Sequence, residues 1–136
     1  MSASAELVCV HPSQVPLVWP AVRALVLSAV LRTDLSHSSD IENDVLSGKS
    51  QLWVAFVDGR IEAAASTSLV RTDRHLVCLL AALGGANRAA WLPLLAKVEA
   101  WAKAEGAARL RFIGRKGWAR VLRNYRVSNV VLERAL

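Results

Sequence analysis

Apolar positions along the chain change their period several times, and each change marks an element. "ELVCV" (Glu6 to Val10) is a short strand candidate. Three prolines, Pro12, Pro16 and Pro20, then punctuate the chain until "AVRALVLSAVLR" (Ala21 to Arg32), which has the length and composition of a helix with Pro20 placed at its first turn. Ser39 and Glu42 have the S-x-x-E spacing of a capping box, ahead of a short helix that Gly48 ends. "QLWVAFVDGRIEAAASTSLV" reads as a hairpin: a strand from Leu52 to Val57, an Asp58-Gly59 turn supplying positive φ, and a second strand from Arg60 to Val70. "HLVCLLAAL" (His75 to Leu83) is nearly continuous in apolar residues, as a central strand covered on both faces should be. From Arg88 to Glu105, residues Trp91, Leu94, Leu95, Val98, Trp101 and Ala102 make one helical stripe, with Gly106 as its end. Pro93 divides that stretch: a helix starting at Arg88 is kinked within two turns, and one starting near Trp91 accommodates it. "ARLRFIG" (Ala108 to Gly114) is a strand, "RKGWARVLRNY" a short helix with Trp118, Val121, Leu122 and Tyr125 on one face, and "VSNVVLERAL" a closing strand. The expected order is β-α-α-β-β-β-α-β-α-β, without internal repeats.

Composition narrows the class. The 136 residues are 54% apolar and 21% charged, which suits one globular domain spanning residues 1–136 and is too apolar for a disordered chain. No uninterrupted apolar run reaches the length of a membrane span, and "MSASAELVCV" lacks the features of a secretion signal. Cys9 and Cys78 are expected as two buried thiols, in a reducing cytoplasm, and no Cys or His spacing resembles a metal site. Five Trp leave both a generous core and a buried homodimer face open. Residues 1–70 hold four Lys or Arg against seven Asp or Glu, and residues 71–136 hold thirteen against four. That basic half suits an anionic cofactor, an acidic partner or nucleic acid, but no RNA-reading aromatic signature, zinc finger or helix-turn-helix supports the last.

The element order and length resemble the GNAT superfamily of acyl-CoA N-acyltransferases over essentially the whole chain, and the ending "GWARVLRNYRVSNVVLERAL" is similar to that family's closing pattern. The strings "VPLVWPAV", "QLWVAF" and "GRKGWARVL" resemble small GNAT-like proteins of phages and prophages. The resemblance implies an α/β fold with a mixed central sheet and helices on both faces. It also implies acetyl-CoA or another acyl-CoA as cofactor and an amine of a small molecule or a protein as acceptor. The pantetheine arm would lie where His75 to Leu83 and Ala108 to Gly114 splay apart. Pyrophosphate would meet the loop after the central strand, with Ala82, Leu83, Gly84, Gly85, Asn87 and Arg88 as cofactor-binding residues. Ala81 stands where that loop carries Gln or Arg in the family, and Leu122 where the family carries a catalytic Tyr.

Glu62 on the hairpin is the expected base, with Asp44 and His37 behind it, and Tyr125, nearly one turn from the family position, is the expected acid. Arg88 is a forked donor suited to pyrophosphate, and Arg115 and Lys116 form a basic turn able to touch nucleotide phosphates. Two function classes follow: an N-acetyltransferase, or a fold that has lost catalysis and serves as a binding or structural module of phage or prophage origin. Fold alone does not choose between them.

Overall fold

The computed structural model describes residues 4–136. Five strands form one sheet in the order β1 to β5: β1 (Ala5–Cys9), β2 (Gln51–Val57), β3 (Arg60–Arg71), β4 (Leu76–Gly85) and β5 (Arg109–Phe112). The first four pair antiparallel and β4 pairs with β5 in parallel, so the sheet is mixed. The expected hairpin forms, with Asp58 and Gly59 both at positive φ (51° and 79°), the combination that matches the twist of the flanking strands.

Helix α1 (Val15–Thr33) is longer than the sequence pattern predicts and carries Pro20 in its interior. The proline removes one backbone donor, yet Val15, Trp19, Val22, Val26 and Val30 make one buried stripe running past it. Pro12–Thr33 has the length and mean hydropathy of a membrane span (1.6), but α1 spends this stripe on the sheet, where Val22 and Val26 meet Leu52, Val54, Ala64 and Ala82. Helix α2 (Ser38–Ser47) begins on a different cap from the one expected. The His37 imidazole Nδ1 accepts from the Ser39 backbone N–H (3.1 Å), while Glu42 turns away to accept from the Trp19 indole (2.7 Å) and the Arg23 guanidinium of α1. There its carboxylate meets a guanidinium and an indole N–H, where a capping box would give it one backbone N–H. Gly48, at φ 84°, ends α2 as expected.

On the opposite face, the single helix expected from Arg88 to Glu105 is broken. A four-residue turn α3 (Arg88–Trp91) is followed by a 3-10 turn holding Pro93, and only then by α4 (Leu95–Ala104). Trp53, Ala65, Leu80 and Val98 form the core there, with Trp101 edge-on to Trp53 at 5.3 Å. A last short helix, α5 (Trp118–Val121), follows β5. The closing strand expected from "VSNVVLERAL" does not form: residues 127–136 carry no regular structure and are exposed. Cys78 is buried as expected, but Cys9 on the edge strand β1 is exposed. Both thiols are free.

Candidate active-site cleft

Two β-bulges prepare the site. Thr67 of β3 faces Leu80 of β4 and Ser66 faces Ala82, so Ala81 is an extra residue in β4. Ala55 of β2 faces Ala63 and Phe56 faces Ile61, so Glu62 is an extra residue in β3. A bulge bends its strand and ends regular pairing. β4 and β5 accordingly stay together only from Val77–Arg109 to Leu80–Phe112, with a last bond from the Ile113 N–H to the Leu80 carbonyl at 3.3 Å. From Ala81 to Gly85, β4 continues without β5 beside it, which is the separation that the resemblance implied.

The backbone donors of this stretch follow from strand alternation. The Ala86 N–H is taken by the Glu62 carbonyl (2.9 Å), so in an antiparallel ladder the N–H groups of Leu83 and Gly85 point away from β3, into the gap that β5 has left. The gap is a cavity of about 140 Å³. Three arginines from three elements line it, Arg32 at the end of α1, Arg88 of α3 and Arg115 after β5, and no Asp or Glu is among its lining residues. The Arg88 guanidinium lies 5.3 Å from the Trp118 ring centre, and Trp118 meets Phe112 edge-on at 5.0 Å. These two rings form the wall on the β5 side, and a Cβ on Gly114 would lie 2.2 Å from Phe112. Trp91 is buried and donates its indole N–H to the Ala86 carbonyl (2.6 Å), tying the loop to the body.

Of the six residues expected to bind cofactor, Leu83, Gly84, Gly85, Asn87 and Arg88 line this cavity. Ala82 lies in the core beneath α1. The two glycines answer first to packing: a Cβ on Gly84 would lie 2.0 Å from the Leu25 carbonyl oxygen of α1, and one on Gly85 would lie 2.3 Å from the Glu62 carbonyl oxygen. Asn87 adopts a left-handed conformation (φ 55°) that turns β4 into α3, and α3 is too short for an extended fan of N–H groups. The positive charge of the cleft therefore comes from side chains.

The expected catalytic groups are dispersed. Glu62 sits half-buried at the β3 bulge, bound to the loop through its backbone, and does not line the cavity. The Tyr125 hydroxyl donates to Glu99 of α4 at 2.5 Å, outside the cleft lining, and burial, reinforced by the Glu99 carboxylate, raises its pKa. It anchors the chain after α5. His37 is occupied as the cap of α2, and the backbone carbonyl of Asp44 accepts from the Ser50 N–H (3.0 Å); neither lines the cavity. Arg115 reaches the cleft and Lys116 does not line it. Burial pushes the Cys78 thiol up to about 11, so it stays protonated near neutral pH. Arg32 went unseen in the sequence because only the docking of α1 over Gly84 carries that end of the helix to the loop.

The five-stranded mixed sheet with helices on both faces is the GNAT-like fold of the acetyltransferases. An aminoglycoside acetyltransferase from an uncultured soil metagenomic sample, in complex with sisomicin, matches with a TM-score of 0.67 at 11% identity, over 97% of this chain and 96% of its own. The aminoglycoside N-acetyltransferase AAC(6')-Iy in complex with CoA matches at 0.65 and 16% identity, over 99% and 97%. A predicted acetyltransferase from Clostridium acetobutylicum with acetyl-CoA matches at 0.65 and 9% identity, over 97% and 96%. No family model and no curated protein matches the sequence.

Proposed function

We propose that this chain is an acyl-CoA-dependent N-acyltransferase that moves an acetyl group from acetyl-CoA to an amine on a small molecule. The observation that carries the reading is the place where β4 outruns β5: a gap with backbone donors on one side, ringed by Arg32, Arg88 and Arg115 and free of lining carboxylates. Pyrophosphate would bind the guanidiniums as a charge-assisted acceptor, and the pantetheine amides would continue the ladder along Leu83 and Gly85 as an added strand would. The amine nitrogen then attacks the thioester carbonyl, a C–N bond forms, the C–S bond breaks, and the thiolate of CoA leaves. Glu62, tied to the loop through its backbone, is our candidate for taking the amine proton. The soil and AAC(6')-Iy neighbours, named for aminoglycosides, support an amine acceptor, and the two free thiols support a reducing cytoplasm.

Calorimetric titration with acetyl-CoA tests this directly. Micromolar binding is expected, and Arg88→Ala should weaken it by roughly tenfold or more, the worth of one charge-assisted bond. In a transfer assay, Glu62→Gln should lower kcat by about a hundredfold. No heat at millimolar acetyl-CoA, with an unchanged Tm, would remove the proposal.

One observation favours a second reading, a binding module of the same fold without catalysis, of the phage-associated kind that the sequence strings support. A cavity of about 140 Å³ is far below the ~300 Å³ or more of a ligand pocket, and Trp118 on Phe112 narrows it. Binding of acetyl-CoA without turnover over a panel of amines would select this reading.

A further inference from the structure

The cleft ends at the bulged Ala81, but the positive charge around it continues along β5. That strand pairs with β4 from Val77–Arg109 to Leu80–Phe112, and its side chains alternate between the two faces of the sheet. Leu110 and Phe112 point into the core beneath α4, so Arg109 and Arg111 stand exposed on the face where α1 lies. Helix α1 packs over β3 and β4 and leaves both arginines uncovered. The side chains that share this face on the neighbouring strands, Ser68 and Val70 of β3 and Val77 and Leu79 of β4, carry no charge. Among the described residues the one ion pair joins Arg23 to Glu42, so neither Arg109 nor Arg111 is paired. Two guanidiniums on one strand face, about 7 Å apart at the strand rise, offer a donor set to a single anionic group.

Their place relative to the chemistry follows from the cleft. With pyrophosphate at Arg32, Arg88 and Arg115 and the pantetheine arm along Leu83 and Gly85, the thioester comes to the closed end of the gap, beside Ala81 and Ile113. Phe112, Trp118 and Trp91 wall that end on the α4 side. An amine therefore arrives from the other side, over the uncovered face of β5. Arg111 faces Leu79, two positions before Ala81, which is about 7 Å along a strand, and Arg109 lies one similar step further. An anion held there leaves an amine a few bonds away at the thioester. The charge also sorts acceptors. Arg32, Arg88, Arg115, Arg109 and Arg111, with no carboxylate in the cleft lining, disfavour the ammonium form of an incoming amine and so favour the neutral nucleophile. An anionic group on the same molecule supplies the attraction that brings it in. A polycationic amine meets only the repulsion.

We propose that the acceptor is a primary amine bearing a carboxylate or phosphate a few bonds from its nitrogen, and that Arg111, with Arg109 beside it, receives that anion. This rests on the acyl-CoA reading. Release of the CoA thiol should be followed with acetyl-CoA and four amines: ethanolamine, O-phosphoethanolamine, β-alanine and spermidine. O-phosphoethanolamine or β-alanine should exceed both ethanolamine and spermidine in kcat/KM by about tenfold or more, the worth of one charge-assisted bond, and the two anionic arms tell phosphate from carboxylate. Arg111→Ala should raise KM for the preferred anionic amine by about tenfold without raising KM for acetyl-CoA, and Arg111→Lys should recover part of that loss. Both variants should keep the parent Tm, because Arg111 is exposed and unpaired. The proposal is overturned by equal kcat/KM for ethanolamine and the anionic amines, by a preference for spermidine, by turnover of none of the four, or by Arg111→Ala raising KM for acetyl-CoA instead. A protein that binds acetyl-CoA in calorimetry and fails these comparisons loses the anionic acceptor alone; one that gives no heat with acetyl-CoA loses the acyl-CoA reading as well.

Discussion

Gly84 shows how one residue serves two ends. Its missing side chain lets the α1 backbone approach β4, since a Cβ would lie 2.0 Å from the Leu25 carbonyl oxygen, and that approach carries Arg32 to the cleft. Gly84→Ala should therefore destabilise by about 1–3 kcal/mol, the range for overpacking, read as a lower urea midpoint with unchanged slope. A midpoint equal to the parent would mean that α1 does not sit where it is described. In the sequence Gly84 and Gly85 suggested a phosphate loop, because glycine beside a helix start is the usual sign of one. The side-chain-free positions were legible; their packing partners, Leu25 and Glu62, lie 59 and 23 positions earlier in the chain and left no local trace.

At the scale of elements, α1 and α2 are joined through Glu42. Its bonds to Arg23 first, and to Trp19, hold its carboxyl below the ordinary glutamate value of about 4.3. A carboxyl with a depressed folded pKa adds stability above its unfolded value and loses it as pH falls through the folded one. The Tm of the parent should thus fall between about pH 5 and 3, while Glu42→Gln, with a lower Tm at pH 7, should show a shallower fall. Parallel curves would mean the tie contributes nothing. The same residue explains why the capping box was misleading: the S-x-x-E spacing is local, but Glu42 found its partners on another helix. Pro93 behaved oppositely. Its effect on the chain is covalent, so the break between α3 and α4 could be anticipated from the sequence, although its form as a 3-10 turn could not.

For the whole molecule, the decisive feature is the parting of β4 from β5. If the gap admits acetyl-CoA, the amides of Leu83 and Gly85, which face it, should exchange rapidly in the free protein and slow by at least about tenfold with saturating ligand, while those paired to β3 change little. Equal exchange in both states at saturation would place the ligand elsewhere. Opening of the Trp118 wall should accompany binding, seen as a change in tryptophan emission, because Arg88 leaves the ring face to meet the phosphates.

The sequence by itself determined the strand and helix order through β5, the Asp58-Gly59 hairpin, the helix ends at Gly48 and Gly106, and the basic second half, because each is written in local periodicity, turn chemistry or charge. It also carried enough of the pattern to imply the mixed sheet that the structure has. Only the tertiary structure decided that Ala81 and Glu62 are bulged, that Arg32 joins Arg88 and Arg115, that Tyr125 is fastened to Glu99, and that residues 127–136 remain unpaired. Register, close approach and the pairing of distant charges depend on what lies across the sheet or on the next helix, and such neighbours are set by packing among residues far apart in the chain.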